Sequence, residues 1–82
     1  MEQAQKRGLS RLLLRWPDRR AALRQSVARD PQVAELCEAY EAACVATEYW
    51  LRSSAAIAPL RAAEYNDLAS AMEQDIIGRL SS

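Results

Sequence analysis

The sequence predicts an all-α fold: an antiparallel helical hairpin with N-terminal helical segments packed on it, in the manner of a three-helix bundle. Two observations lead there. Glycine occurs twice and proline three times in 82 residues, phenylalanine is absent and β-branched residues are few. Strands therefore have almost no support, and the abundant alanine favours helix while burying little area. Apolar residues also recur at three- and four-residue steps over two long stretches, the signature of helices with one buried face. A chain this short buries only about 60% of the surface that its unfolded form exposes, so the expected core is thin. One domain over 1–82 is expected, with a basic helical arm at 1–30 and a hairpin at 31–53 and 59–80.

In the arm, Leu9, Leu12, Leu13 and Trp16 stand at i, i+3, i+4 and i+7. Gly8 should weaken that helix, and Trp16-Pro17 should interrupt it. A second short segment from Pro17 to about Ala28 offers Leu23 and Val27 as anchors. The clearest boundary is Asp30-Pro31, because aspartate accepts hydrogen bonds from free amides at a helix start and proline fits the first helical position.

From Pro31 to about Ser53, Val33, Leu36, Cys37, Tyr40, Cys44, Thr47 and Leu51 form a core stripe. On a helical wheel Ala39, Ala42, Ala43, Ala46 and Trp50 extend that stripe to one side. The apolar arc is thus about twice the roughly 100° that a single neighbour requires. Neighbours on two sides are expected, with an N-terminal segment over the alanine flank. Val45 and Tyr49 fall on the far side from the main stripe. Ala58-Pro59 marks a short connection, since the residue before proline is pushed out of helical geometry. The last helix, about 59–80, carries Tyr65, Leu68, Ala69, Met72, Ile76 and Leu80 on its stripe. At 1.5 Å per residue the two long helices match at about 33 Å each, and Ser81-Ser82 should fray.

Formal charge is zero but polarised: residues 1–30 carry eight basic against three acidic side chains, a net +5, and the remainder carries three against eight, a net −5. The basic segment is expected to pack on the acidic hairpin, within one chain or across a dimer. Single exposed pairs contribute about 0–1 kcal/mol, so charge selects orientation while apolar faces supply the association energy.

No histidine is present, which removes the commonest general base and metal ligand. Glu35, Glu38 and Glu41 read as a solvated acidic face, and Gly8 and Gly78 are too isolated for a phosphate loop. No catalytic residue, metal or cofactor is assigned, no small-molecule substrate is implied, and a non-enzymatic protein is expected. Cys37 and Cys44, seven apart, lie about 10 Å from each other on one helix, too far to bridge, and read as small core residues. Tyr40 and Tyr65 read as core residues whose polar edge reaches water. No apolar run approaches the roughly 20 residues that cross a bilayer and no signal peptide is evident, so a cytoplasmic protein is expected.

The functional expectation is a protein–protein interaction module that self-associates, for example as a homodimer. Its docking surface should include Arg11, Arg15, Trp16, Arg19, Val45, Tyr49 and Trp50, since large aromatics and arginine are the usual anchors of such surfaces. The alternative is a small nucleic-acid-associated regulator that uses the basic arm, whose clustered cations would gain affinity by counterion release. No reader motif accompanies that cluster.

Overall fold

The computed structural model describes residues 2 to 80, with Glu2 by its backbone alone; the expected fraying of Ser81-Ser82 lies outside them. Four α-helices follow one another: α1 (Glu2–Arg15), α2 (Arg20–Arg29), α3 (Pro31–Arg52) and α4 (Ala58–Leu80), with a 3-10 turn at Pro17–Arg19 between the first two. No strand occurs among the described residues. The fold is all-α: α3 and α4 pack as the hairpin, α1 lies on α3, and α2 touches both hairpin helices.

Local chemistry sets the boundaries. Trp16 leaves helical geometry at φ −123°, ψ 71° before Pro17, as a pre-proline residue tends to. The Arg20 guanidinium donates to the Leu13 carbonyl at 3.0 Å, satisfying one of the carbonyls that a helix end leaves unpaired. Asp30 caps α3, accepting from the Gln32 amide at 2.9 Å with Pro31 in the first turn. At the far end Ser53 is extended, at φ −79°, ψ 144°, and its hydroxyl accepts from the Ala55 amide at 3.2 Å. α4 then starts at Ala58, one residue earlier than expected, and Pro59 still sits where helix amides have no intrahelical acceptor.

α1 runs unbroken through Gly8, contrary to the expected weakness there. Gly8 is buried, and a Cβ at this position would overlap the backbone carbonyl of Cys37. The glycine marks the closest approach of α1 to α3, and the packing it permits outweighs the roughly 1 kcal/mol it forfeits in helix propensity.

The core gathers at one end of the hairpin. Leu12 of α1, Leu23 of α2, Val33 and Cys37 of α3 and Ile76 of α4 are fully buried, with Tyr40, Ala43 and Ala69 beside them. Leu9, Leu13, Trp16, Val27, Leu36, Cys44, Met72 and Leu80 pack around this cluster. Further out, from residue 45 to residue 68, the hairpin fully buries only Ala58 and Ala62.

Two stripe assignments are corrected there. Leu51 is 70% exposed and Leu68 46% exposed. Opposite Leu51, α4 presents Pro59, Ala62, Ala63 and Asn66, none of them a large apolar side chain, across an open cleft, and Leu68 is exposed on the α4 stripe. The alanine flank is corrected too: α1 meets α3 along Cys37 and Glu41, on the opposite flank from Ala39, Ala42 and Ala46. Gly8 allows close approach on that side and Arg11 finds carboxylates there. Ala42 remains exposed, and Ala39 and Ala46 are half-buried. The result is an elongated body of 42 × 23 × 21 Å, with no helix among the described residues long and apolar enough to cross a membrane.

Candidate interaction surface

Two sites flank α3, one polar and one apolar. The polar site ties α1 to the hairpin. Arg11 donates through Nε to Glu41 Oε1 at 2.6 Å and through its terminal nitrogens to Glu48 at 2.9 and 3.5 Å. One turn on, Arg15 Nε pairs with Glu73 Oε2 of α4 at 2.9 Å. The Tyr40 hydroxyl donates to the same oxygen at 2.6 Å. Glu41 is only 6% exposed, so it is no part of a solvated acidic face; Glu73 is buried with it. Tyr40 turns its polar edge to Glu73 rather than to water.

These contacts move the titrations in consistent directions. Arg11 is held still more firmly protonated, first by its hydrogen bond to Glu48 and then by Glu41. Glu48 in turn sits below the usual carboxylate range because of Arg11. Burial, then the bond to Glu73, pushes the Tyr40 phenol well above its ordinary value. Burial raises the Cys37 thiol to about 11. It raises Cys44 as well, against the opposing effect of the Tyr40 hydroxyl and the Arg11 charge. Both thiols are free, and these shifts make them poor nucleophiles at neutral pH. The cleft between Arg11, Arg15, Tyr40, Glu48, Asn66 and Glu73 encloses about 200 Å³. Its charges neutralise one another, and no set of three or more metal-ligating side chains converges among the described residues.

The apolar site lies on the open flank of α3. Glu38, Glu41, Ala42, Val45, Ala46, Tyr49 and Trp50 of α3 line a groove of about 600 Å³ together with Ala4 and Arg7 of α1, so its apolar surface carries charges of both signs at its α1 side. Val45 is 47% and Tyr49 60% exposed. The two aromatic rings meet edge to face, with centroids 5.1 Å apart and planes at 83°, an arrangement that favours both quadrupoles and stiffens the pair.

The seven expected surface residues therefore divide. Val45, Tyr49 and Trp50 come together in the groove. Arg11 and Arg15 are committed to carboxylates of their own chain. Trp16 packs half-buried against the core, and Arg19 is exposed in the 3-10 turn, apart from the groove. Sequence reasoning missed the clamp formed by Glu41, Glu48, Glu73 and Tyr40. A signal existed: Glu73 stands between Ala69 and Ile76 on the stripe of α4, and a carboxylate at a core position demands a counter-charge. It also missed the part that Ala4 and Arg7 take in the groove.

Comparisons of the chain with family models, curated proteins and solved structures give no match, so function is argued from this geometry alone.

Proposed function

We propose that this protein is a non-enzymatic protein–protein interaction module that self-associates through the outer half of its hairpin. One observation carries the reading. Of the seven exposed large apolar side chains among the described residues, six lie between positions 45 and 68: Val45, Tyr49, Leu51, Ile57, Leu60 and Leu68. Scattered exposed apolar residues are ordinary, but six at one end of a hairpin, on more than one of its faces, leave apolar area that a partner could cover. The zero formal charge of the chain supports a second copy as the partner, because near-neutral proteins meet without mutual repulsion. The free cysteines suit a reducing, cytoplasmic setting.

The nucleic-acid alternative draws less support from the geometry. Of the eight arm cations, Arg11 and Arg15 are neutralised by glutamates and Arg20 caps α1. Lys6 and Arg7 are left on α1, Arg19 in the 3-10 turn and Arg24 and Arg29 on α2, so the cations that remain are divided among three elements, which is a weaker match to a phosphate backbone than one continuous stripe.

Sedimentation equilibrium from micromolar to millimolar concentration tests the proposal. A reversible dimer or higher species supports it, and a strict monomer across that range overturns it. Binding to generic DNA or RNA that weakens steeply with salt would put the alternative in its place.

A further inference from the structure

One large exposed apolar side chain lies outside the outer half of the hairpin. Leu14 is 77% exposed, more than any other such residue among the described ones. We infer that the outer face of α1 and the turn after it dock on an anionic lipid bilayer, with Leu14 among the acyl chains and the surrounding cations on the headgroups. This goes beyond self-association and uses a different part of the molecule.

α1 lays Gly8 and Leu12 against α3 and the core. At about 100° per residue its opposite face carries Gln3, Lys6, Arg7, Ser10 and Leu14, all of them exposed. No carboxylate stands among them. Leu14 adjoins the 3-10 turn, where Pro17 and Arg19 are exposed. Arg20 is held at the same corner by its bond to the Leu13 carbonyl, a neutral acceptor that leaves its charge unopposed. Arg11 and Arg15 are committed to glutamates, but Lys6, Arg7, Arg19 and Arg20 have no ion-pair partner among the described residues. Between residues 3 and 24, Asp18 is the one acid against seven bases.

Charge chooses the partner, and Leu14 chooses between two polyanions. A duplex asks for a line of cations, whereas a bilayer is a plane that a helix face and the adjoining turn can meet together. An exposed leucine gains nothing from a phosphate backbone but gains by passing below lipid headgroups. Each cation held near an anionic leaflet favours binding by roughly fivefold, and Asp18 offsets about one of them. The acidic α3 does not cancel this attraction. Its carboxylates stand behind α1, whose diameter of about 10 Å exceeds the screening length of about 8 Å at physiological salt. The net +5 of the arm and −5 of the hairpin instead turn the arm towards a negative surface. Docking needs no rearrangement, because Leu9, Leu12 and Leu13 stay packed on the hairpin.

The test is co-sedimentation of the full chain with vesicles of phosphatidylcholine alone and of phosphatidylcholine mixed with phosphatidylserine. Binding to the mixed vesicles only, weakening as sodium chloride rises, is the expected result. Leu14→Gln should weaken it by roughly fivefold or more, and Arg7→Gln with Arg19→Gln by roughly tenfold or more. Leu60→Gln, on the hairpin, should leave it unchanged. All four positions are exposed, and helical circular dichroism checks that each variant folds. No binding to the mixed vesicles at low salt overturns the inference. So does binding that ignores Leu14→Gln, which would be charge attraction without docking, or binding lost in Leu60→Gln, which would place the contact on the hairpin. Binding to generic DNA or RNA without binding to vesicles would overturn it in favour of a nucleic-acid partner. A chain that stays monomeric yet binds the mixed vesicles in the expected pattern would sink self-association and leave this inference standing.

Discussion

At its inner half the hairpin closes through Val33, Tyr40 and Ile76, roofed by Leu12 and Leu23 from the arm. At its outer half the same two helices bury only Ala58 and Ala62, while Leu51 stands at an open cleft between them and Leu60 and Leu68 are exposed. Helix propensity and apolar periodicity hardly differ between the two halves. What differs is apolar cover: the side chains that α1 and α2 bury, Leu12 and Leu23, lie over the inner half, so the same pattern yields a core at one end and an exposed apolar surface at the other. Burial is a property of the neighbour as much as of the stripe.

The largest expected contrast is in side-chain truncation. Leu12→Ala removes a fully buried side chain and should cost about 2–5 kcal/mol, transfer and cavity effects together, a large fraction of what a chain this small possesses. Leu60→Ala should change stability by no more than about 0.5 kcal/mol. Urea midpoints followed by helical circular dichroism, at a concentration where the protein is monomeric, decide it. Equal losses at the two positions would mean that the outer half is covered after all.

Glycine replacement sharpens the same contrast at the backbone. In Gly8→Ala the new methyl meets the Cys37 carbonyl, which cannot rotate aside as a side chain tip would. Overpacking of this kind costs about 1–3 kcal/mol, more than the roughly 1 kcal/mol of helix propensity that alanine recovers. Gly78→Ala has nothing within 4 Å of the added atom and should stabilise by up to about 1 kcal/mol. Opposite shifts in thermal midpoint are the expected pair; a stabilising Gly8→Ala would show that α1 is not seated at this point.

Much of the fold is legible in the sequence because short-range chemistry dictates it: Asp30-Pro31 starts α3, Trp16-Pro17 ends α1, and the Val33–Tyr40 and Ala69–Ile76 stripes face each other. The choice of flank is not legible. Both sides of the α3 stripe can accept a helix, and the decision falls to Gly8, which reads locally as a defect, and to Arg11, whose partners Glu41 and Glu48 lie 30 and 37 residues away. The candidate surface was half legible for the same reason. Val45 and Tyr49 lie opposite the main stripe and stay exposed whichever flank α1 takes, whereas Trp50 is open because α1 chose the other flank, and Arg11 and Arg15 are polar residues whose exposure depends on long-range pairing.

Charge removal should show a smaller version of the contrast. Arg11→Ala leaves Glu41 buried without its partner, at a cost of about 1–3 kcal/mol for a charged hydrogen bond at a partly exposed site. Arg61→Ala breaks an i,i+3 pair with Glu64 in which both side chains are about half exposed, worth no more than about 0.5 kcal/mol. Salt should erase the second effect before the first, since exposed pairs are screened most. Chemical denaturation by urea at low and high sodium chloride measures both.

The smallest effect lies in the acid limb of stability. Arg11 depresses the Glu48 titration in the folded state from its ordinary value near 4.5, so the folded chain holds the ionised carboxylate more tightly than the unfolded chain does. That contribution is complete above about pH 4.5 and is lost as pH falls through the folded value. Glu48→Gln should therefore differ from the parent at pH 6 and converge with it towards pH 3, by a margin that solvent screening keeps small. In an Arg11→Ala background the same substitution should have no pH-dependent effect, because the charge that depresses Glu48 is gone. A convergence that survives without Arg11 would assign the acid sensitivity to Arg52, the other cation acting on Glu48, and would take α1 out of this part of the electrostatics.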